Sequence, residues 1–396
     1  MEPGSRTDRP GVRGAPVTAV VILFLDHAPA LGGAERSLLL LLKHLDRAHW
    51  QPHLACAGGP LAEQAAALGV PVHTVPLSRL RHSFRAPLDW LTGLRAVDRL
   101  VRQIGAAILV ANTIRTALYA APAACFANIP FVWHMRDLWL SESRPRNRWV
   151  DTTGKRLICA AAVRVVANSC ATAAHLPCLD KVAVVYNGLE VDRFDPALDS
   201  GSFRRQYGIP PDAPLVGTVG RLRPWKGQDC FLRVLARLRE VMPDVWGVIV
   251  GGSPFHFQDD YPPYLCHLAA DLGLSDRVIF TGQVADTRPV LSAMDLFVHA
   301  GDPEPFGLVN LEAMAMAKPV VAFAHGALPE IVVEGETGLL VIPGNEAALA
   351  SAVAGLLSDP ARRVAMGQAG RIRVAEHFRA ERVAQEIDAV LQEIAR

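Results

Sequence analysis

Short apolar segments alternate with amphipathic segments along almost the whole chain. The apolar segments predict strands at 17–25, 52–57, 71–75, 106–111, 130–135, 163–167, 182–186, 215–220, 245–251, 277–281, 295–299, 319–323 and 338–341. Between them, apolar residues recur with helical periodicity, as at 34–45, 87–103, 228–241 and 345–358. Buried strands that alternate with helices are typical of parallel sheets covered on both faces, so the pattern predicts an α/β fold.

The alternation is interrupted once, at 187–214, where Asn, Asp, Gly and Pro are frequent. Placing the domain junction there predicts a leader at 1–15, an N-terminal Rossmann-like domain at 16–195, a C-terminal one at 196–378 and a terminal helix at 379–396. Ligands of such sheets bind beyond the carboxyl ends of the strands. Two sheets facing each other would therefore hold a ligand in the cleft between the domains.

Composition narrows the class of protein. Hydrophobic residues make up 51% of the chain and charged residues 20%, which excludes a disordered chain. The apolar run at 17–25 is too short to span a bilayer, and no secretory signal is recognisable. The seven cysteines form no C-x-x-C pair, so neither a disulfide framework nor a zinc site is predicted, and a cytoplasmic location is expected.

Charge is distributed unevenly between the two halves. Residues 1–195 contain 22 Lys and Arg against 15 Asp and Glu, whereas residues 196–396 contain 18 against 24. Basic residues lie beside tryptophans at 79–104 and 136–156, a pattern that suits an anionic membrane surface or a lipid-linked phosphate. No nucleic-acid-binding motif is present, and ordinary surface variation is the alternative interpretation.

The segment from Glu304 to Glu312 is the strongest candidate for chemistry. Pro305 and Gly307 break the chain just before a predicted helix. Glu304 therefore lies in the loop that leads into this helix, and Glu312 lies in its second turn. The free N–H groups of a helix start bind phosphate, and ionised carboxylates accept strong hydrogen bonds from hydroxyl groups. Taken alone, both glutamates also fit a purely structural interpretation as a helix-start charge and a solvated helix residue.

A second candidate segment runs from Gly220 to Gln228, between a predicted strand and a helix. Arg221 and Lys226 place two cations at the strand end, and Gly220 allows close approach of the backbone. Fixed cations there would stabilise the negative charge that develops on a departing nucleoside diphosphate. The chain contains no Asp-x-Asp pair for a divalent cation, Asp302-Pro-Glu304 being the nearest approach, so neither a metal ion nor any other cofactor is expected.

Two weaker signals lie in the first half. Gly32-Gly33 follows the first predicted strand and opens a helix, as a phosphate-facing loop does, although it matches neither a P-loop nor a dinucleotide fingerprint. His134 ends the strand at 130–135, where a ring nitrogen would reach a sugar hydroxyl or a phosphate. A tight turn and a structural histidine are the alternative interpretations.

Together these segments resemble glycosyltransferase family 4, a retaining family of GT-B fold. The resemblance covers roughly 17–378 and is densest from Asp295 to Pro343. The matching motifs include Glu312-Ala-Met-Ala315, Lys318-Pro-Val-Val-Ala322, Pro329-Glu-Ile-Val332, Thr337-Gly-Leu-Leu-Val341, Gly220-Arg221 with Lys226-Gly227, Asn187-Gly188 through Phe194, Ala167-Asn168-Ser169 and Gly32-Gly33.

The resemblance implies a role for each candidate residue. Glu312 would hold the ribose hydroxyls of a nucleotide-diphosphate sugar, and Glu304 the hydroxyls of its sugar ring. Arg221 and Lys226 would bind the diphosphate. The other implied donor-binding residues are Gly33, Gly220, Phe306, Gly307 and Leu308, and the implied catalytic group is His134, Arg221, Lys226 and Glu304.

The activity implied is a metal-independent, retaining, hexosyltransferase-type transfer to a glycan or lipid-linked acceptor bound by the N-terminal domain, at the inner face of a membrane. Two alternatives stay open. One is another enzyme on the same scaffold, such as a sugar-nucleotide epimerase, a hydrolase or a phosphorylase. The other is a non-catalytic nucleotide-sugar binder.

Overall fold

The computed structural model describes residues 19–28, 30–78, 86–141, 144–145, 147–252 and 260–395. The predicted leader at 1–15 lies outside these residues, as do Arg79, Arg81, Arg85 and Arg146 of the two basic stretches.

The first half of the chain forms a parallel sheet with the strand order β3-β2-β1-β4-β5-β6-β7. Its strands are β1 (Val20–Leu25), β2 (Trp50–Cys56), β3 (Val72–Thr74), β4 (Ile108–Ala111), β5 (Phe131–Met135), β6 (Arg164–Ala167) and β7 (Val182–Val184). All seven strands predicted for this half are confirmed, with ends that differ by at most three residues.

The second half forms a parallel sheet with the order β10-β9-β8-β11-β12-β13. Its strands are β8 (Leu215–Val219), β9 (Trp246–Val250), β10 (Val278–Gly282), β11 (Leu296–His299), β12 (Val320–Phe323) and β13 (Gly338–Val341). The six strands predicted here are confirmed as well. Each sheet has one buried apolar core on either face, which is why its strands read as continuous apolar runs.

Helices connect these strands and cover both sheets. In chain order they are α1 (Gly33–His44), α2 (Pro60–Ala67), α3 (Ala86–Ile104), α4 (Ile114–Ala127), α5 (Arg148–Ala161), α6 (Cys170–Ala173), α7 (Gly201–Gln206), α8 (Gln228–Val241), α9 (Tyr261–Asp271), α10 (Arg288–Ala293), α11 (Leu308–Ala315), α12 (Leu328–Ile331), α13 (Glu346–Leu357), α14 (Pro360–His377) and α15 (Ala380–Ala395). None of the described helices is long and apolar enough to cross a bilayer.

Both sheets reverse their strand order next to the first strand of the sheet. The reversal falls between β1 and β4 in the first sheet and between β8 and β11 in the second. The loops that leave such neighbouring strands diverge and open a crevice at the carboxyl edge, where open α/β sheets bind their ligands. The predicted two-domain α/β fold of GT-B type is therefore confirmed, and its two crevices identify where a ligand site belongs.

The chain crosses between the two sheets twice. The two crossings lie side by side, because the Leu189 N–H donates to the Phe378 carbonyl at 2.8 Å and the Ala380 N–H donates to the Leu189 carbonyl at 3.0 Å. A Cβ on Gly188 would lie 2.7 Å from the Ala380 Cα, so a side chain there would force the crossings apart. After the second crossing, α15 packs on α1 of the first domain and buries Ile387 in that core.

One expectation from composition is wrong. Cys159 at the end of α5 and Cys178 before β7 are joined by a disulfide bond, with their Cα atoms 6.1 Å apart. Cysteine spacing did not indicate this pair, because the two residues approach only after the helix and strand have packed on the sheet. The cysteine pattern therefore gives no support to a reducing cytosol.

Candidate active site

The loop after β8 is fixed against the loop after β11, across the crevice of the second sheet. Gly227 has φ +72°, and a Cβ there would collide with the Ala300 carbonyl oxygen. The Asp302 N–H donates to the Trp225 carbonyl at 2.8 Å, which joins the two loops directly. Only glycine at 227 allows this approach, so the Lys-Gly pair seen in the sequence sets the position of the lysine.

Lys226 and Glu304 meet at this point. The Lys226 Nζ lies 2.5 Å from the Glu304 Oε2, and 12% of the glutamate side chain is exposed. Burial acts to raise the pKa of Glu304, but the positive charges of the contacting Lys226 and the nearby Arg221 outweigh burial and lower that pKa. The site therefore holds an ionised carboxylate that contacts Lys226, with Arg221 near enough to lower its pKa.

His299 is a member of this group that the sequence analysis missed. It is the last residue of β11, and its Nε2 lies 3.8 Å from the Glu304 Oε2. Burial, with Lys226 nearby, lowers the pKa of His299 to about 4, so the ring is neutral at pH 7. The Asn310 amide donates to its Nδ1 at 3.3 Å, which places the ring proton on Nε2, toward the carboxylate. The sequence did contain a signal for His299, because a polar residue at the end of an apolar strand lies at the ligand edge of the sheet.

The start of α11 faces the first domain across the cleft. Gly307 caps this helix in the left-handed conformation, with φ +88°. The free N–H groups of the first turn then point out of the helix as a phosphate-binding end. A Cβ on Gly33 would lie 3.5 Å from the Leu308 Cδ1, so the glycine loop of the first domain lies against this helix start. The Phe306 side chain packs in the core beside Tyr186 and Phe378, which leaves its backbone as the only part near the cleft.

Glu312 lies one turn further along α11 and is also buried. Its Oε2 accepts a hydrogen bond from the Thr287 hydroxyl at 2.9 Å, and its Oε1 lies 3.6 Å from the Arg36 Nη1 of the first domain. Burial raises the pKa of Glu312, although Arg36 and Thr287 act to lower it. The two glutamates singled out in the sequence thus have opposite pKa shifts, because Glu304 has a contacting lysine and Glu312 has only a more distant arginine.

Further contacts close the cleft below this site. The Ser169 hydroxyl at the start of α6 donates to the Pro305 carbonyl at 2.7 Å. The Glu330 carboxylate of α12 accepts from the backbone N–H groups of Cys170 and Ala171 at 2.7 and 2.8 Å. The start of α6 therefore binds both Pro305 and Glu330 of the second domain across the cleft.

His134 lies in a different environment from Lys226 and Glu304. It is buried in the first domain and lines a small cavity with Ser37, Arg136, Asn187 and Ile387. The Arg136 guanidinium donates to its Nδ1 at 3.2 Å. Burial and the Arg136 charge hold the pKa of His134 well below its usual value, so the ring is neutral. The structure does not bring His134 into the Lys226–Glu304 group, and its catalytic role stays a prediction.

A buried polar cluster holds the glycine loop in place. The Arg136 Nε donates to the Asn112 Oδ1 at 2.8 Å, and the Asn112 Nδ2 donates to the Asp26 Oδ2 at 2.6 Å. Next to it, the Glu35 carboxylate accepts the Gly32 N–H at 2.7 Å. Burial and the neighbouring Asp26 raise the pKa of Glu35 to about 7. The loop that carries Gly33 is therefore held by polar side chains at the carboxyl edge of the first sheet.

The charge expected of the stretch at 136–156 needs a correction. Arg136 belongs to the buried cluster, and Lys155 is buried in an ion pair with Asp151 at 2.8 Å. Neither residue contributes to a surface. The described cations of this stretch that do reach solvent are Arg144, Arg148 and Arg156.

A cation–carboxylate pair and a helix start at the switch point of a GT-B sheet define a nucleotide-sugar transferase type of site. Two family models match the chain: Glycosyltransferase Family 4 over residues 31–193, and Glycosyl transferases group 1 over residues 199–373. The chain belongs to glycosyltransferase family 4, which confirms both the resemblance and the enzyme class expected from the sequence.

Three similar proteins illustrate this relationship. The lipopolysaccharide core mannosyltransferase LpsB of Rhizobium meliloti is 35% identical over 59% of this chain and 66% of its own. A GDP-mannose-dependent phosphatidylinositol monomannoside mannosyltransferase of Mycolicibacterium smegmatis is 42% identical over 46% and 49%. The crystal structure of Anabaena HepE with UDP-glucose superposes with a TM-score of 0.82 and 28% identity, over 94% of this chain and 99% of that one. The chain thus spans about half to two thirds of the length of the curated relatives.

Proposed function

We propose that this protein transfers a sugar from a nucleotide diphosphate to a glycan or lipid-linked acceptor, with retention of anomeric configuration and without a metal ion. The observation that carries the proposal is the Lys226–Glu304 pair at the β8–β11 crevice, next to the start of α11. A donor with a diphosphate needs cations, and a sugar needs an ionised hydrogen-bond acceptor. Lys226 supplies the cation and Glu304 the acceptor, and the two side chains are in direct contact.

The donor fits this arrangement group by group. Glu312 accepts hydrogen bonds from the ribose hydroxyls, while Lys226, Arg221 and the helix start hold the two phosphates. Lys226 then exchanges its contact with Glu304 for the diphosphate, and the freed carboxylate accepts from the hydroxyls of the sugar ring. Gly220 and Gly33 leave room for the phosphates from opposite sides of the cleft.

The transfer step needs little from the protein besides charge. The bond between the anomeric carbon and the phosphate oxygen breaks while the acceptor oxygen forms a new bond on the same face. The departing phosphate oxygen takes the proton of the acceptor hydroxyl, so atoms and charge balance without a protein base. Lys226 and Arg221 stabilise the charge that grows on the diphosphate. Retention follows from the family and is part of the proposal.

Transfer is expected to continue in excess EDTA at an unchanged rate, because protein cations supply the charge and the sequence has no Asp-x-Asp pair. The measurement is nucleoside diphosphate release by protein dialysed against EDTA, with and without added Mg²⁺ or Mn²⁺. Complete loss of release on chelation, restored by either ion, would contradict metal-independent transfer.

The acceptor is proposed to be a glycan on an anionic lipid. Two relatives are named for a lipopolysaccharide core and a phosphatidylinositol mannoside, both of which carry lipids. On this chain, α5 exposes Trp149, Val150 and Leu157, which lie next to Arg148 and Arg156 in the sequence. Apolar and aromatic side chains flanked by arginine suit the headgroup region of an anionic membrane, where each basic residue contributes about 1 kcal/mol.

Binding to vesicles is expected to rise with their anionic lipid content and to fall with salt, because screening weakens charge attraction. Sedimentation with phosphatidylcholine vesicles that contain increasing phosphatidylglycerol measures this. The Arg148→Glu/Arg156→Glu variant should bind less, whereas Arg237→Glu, on an exposed position of α8 in the other domain, serves as the matched control. Absent binding, or binding that ignores lipid charge, would leave the α5 face as plain surface.

A further inference from the structure

We propose that Arg36 is a positioning residue for nucleotide binding, which acts through Glu312 from the opposite domain. The proposal rests on the proposed role of Glu312 as the ribose ligand. It adds a residue that the sequence motifs did not single out, and it gives the first domain a charged residue at the ribose end of the site, besides Gly33 beside the phosphates.

The geometry of the pair is specific. Arg36 lies in the first turn of α1, where its N–H donates to the Gly32 carbonyl at 3.0 Å, so the helix start that carries Gly33 also carries this guanidinium. About half of the Arg36 side chain is exposed, whereas only 8% of the Glu312 side chain is. The arginine thus reaches from the rim of the cleft to a carboxylate on its opposite wall.

The distance leaves the carboxylate available to a ligand. The Arg36 Nη1 lies 3.6 Å from the Glu312 Oε1, which is close enough for charge attraction but too long for a hydrogen bond. Each carboxylate oxygen accepts two hydrogen bonds, and among the described residues the Thr287 hydroxyl alone donates to Glu312, at Oε2. Ribose hydroxyls can therefore donate to Glu312 while Arg36 stays beside it.

The surroundings of Glu312 favour its protonated form, and Arg36 opposes them. Burial raises the pKa of Glu312, and so does Asp286, which precedes α10 and is bound by Arg288 at 2.7 Å. Arg36 from α1 and the Thr287 hydroxyl act in the other direction. A protonated carboxyl is a poorer acceptor for a ribose hydroxyl than a carboxylate. Arg36 therefore maintains the ionised form of Glu312 that binds the nucleotide.

The test is the pH dependence of UDP and GDP affinity, measured by calorimetry from pH 5 to pH 9 on wild type and Arg36→Gln. Loss of the arginine should raise the pKa of Glu312, because an opposite charge this close shifts a carboxyl by about one unit or more. Affinity should then fall by up to about tenfold toward the acidic end of this range and recover toward the wild-type value as the pH rises. Arg36→Lys should keep most of the wild-type profile.

Controls separate this proposal from the proposed function. Arg237→Gln, on an exposed position of α8, should leave the profile unchanged, and Arg36→Gln should add nothing in a Glu312→Gln background. A pH-independent loss in Arg36→Gln would mean a structural role, and tighter binding would mean that Arg36 competes with the ribose; either result overturns the inference. Wild-type nucleotide affinity in Glu312→Gln, or no binding of UDP, GDP, ADP or dTDP by wild type, would instead overturn the proposed donor site.

Discussion

Replacing Lys226 with alanine is expected to lower turnover by about 100- to 1000-fold, the range seen when one group that stabilises transition-state charge is removed. Negative charge on the diphosphate grows as the sugar departs, so the lysine matters more in the transition state than in the bound donor. Donor affinity should change much less. Steady-state kinetics with a saturating acceptor give the separate kcat and KM values that this prediction needs.

The matched control is Arg237→Ala, which removes a cation from an exposed position of α8 in the same domain. Lys226→Ala also leaves the buried Glu304 without its partner at 2.5 Å, so thermal unfolding of both variants must confirm that the proteins are folded. Full turnover with only a raised KM would mean that Lys226 binds the ground and transition states equally. The charge-stabilisation mechanism would then be wrong.

Replacing Glu312 with alanine is expected to weaken nucleotide binding by about 1.5–3 kcal/mol, which corresponds to roughly 10- to 150-fold in Kd. The ribose hydroxyls lose a charged acceptor that is already buried and held by Thr287. Calorimetric titration with the nucleoside diphosphate measures the effect without a need for the acceptor. Glu336→Ala, at an exposed position between α12 and β13, is the control; equal affinity in the two folded variants would remove Glu312 from the site.

The fold was predictable because parallel strands buried on both faces are apolar throughout. The β11 segment, Leu296–His299, is an example: an apolar run with a helix on either side has few other interpretations. The loop segments of the candidate site could also be located from the sequence. The backbone is left-handed at positions 227 and 307, which favours glycine, and these glycines mark where the chain turns toward the ligand edge. Local sequence is enough to predict both the buried strands and these glycine turns.

Contacts between distant segments were not predictable in the same way. The Arg36–Glu312 pair and the Cys159–Cys178 disulfide each depend on how separate elements pack, which no spacing along the chain records. The surroundings of His134 also depend on packing. Its position at a strand end indicates the ligand edge, and its ring lies in the polar cluster around Arg136, so its catalytic role stays a prediction.

The most direct test of the proposed activity is acceptor-dependent release of nucleoside diphosphate. UDP-, GDP-, ADP- and dTDP-sugars are each incubated with the protein, with and without a bacterial glycolipid extract, and the diphosphate released is quantified for wild type and Lys226→Ala. We predict that at least one donor is consumed only when the extract is present, and that Lys226→Ala lowers the rate of this release by about 100- to 1000-fold. Release that is equal without the extract would identify a hydrolase, and no release from any donor with the extract present would contradict glycosyl transfer at this site.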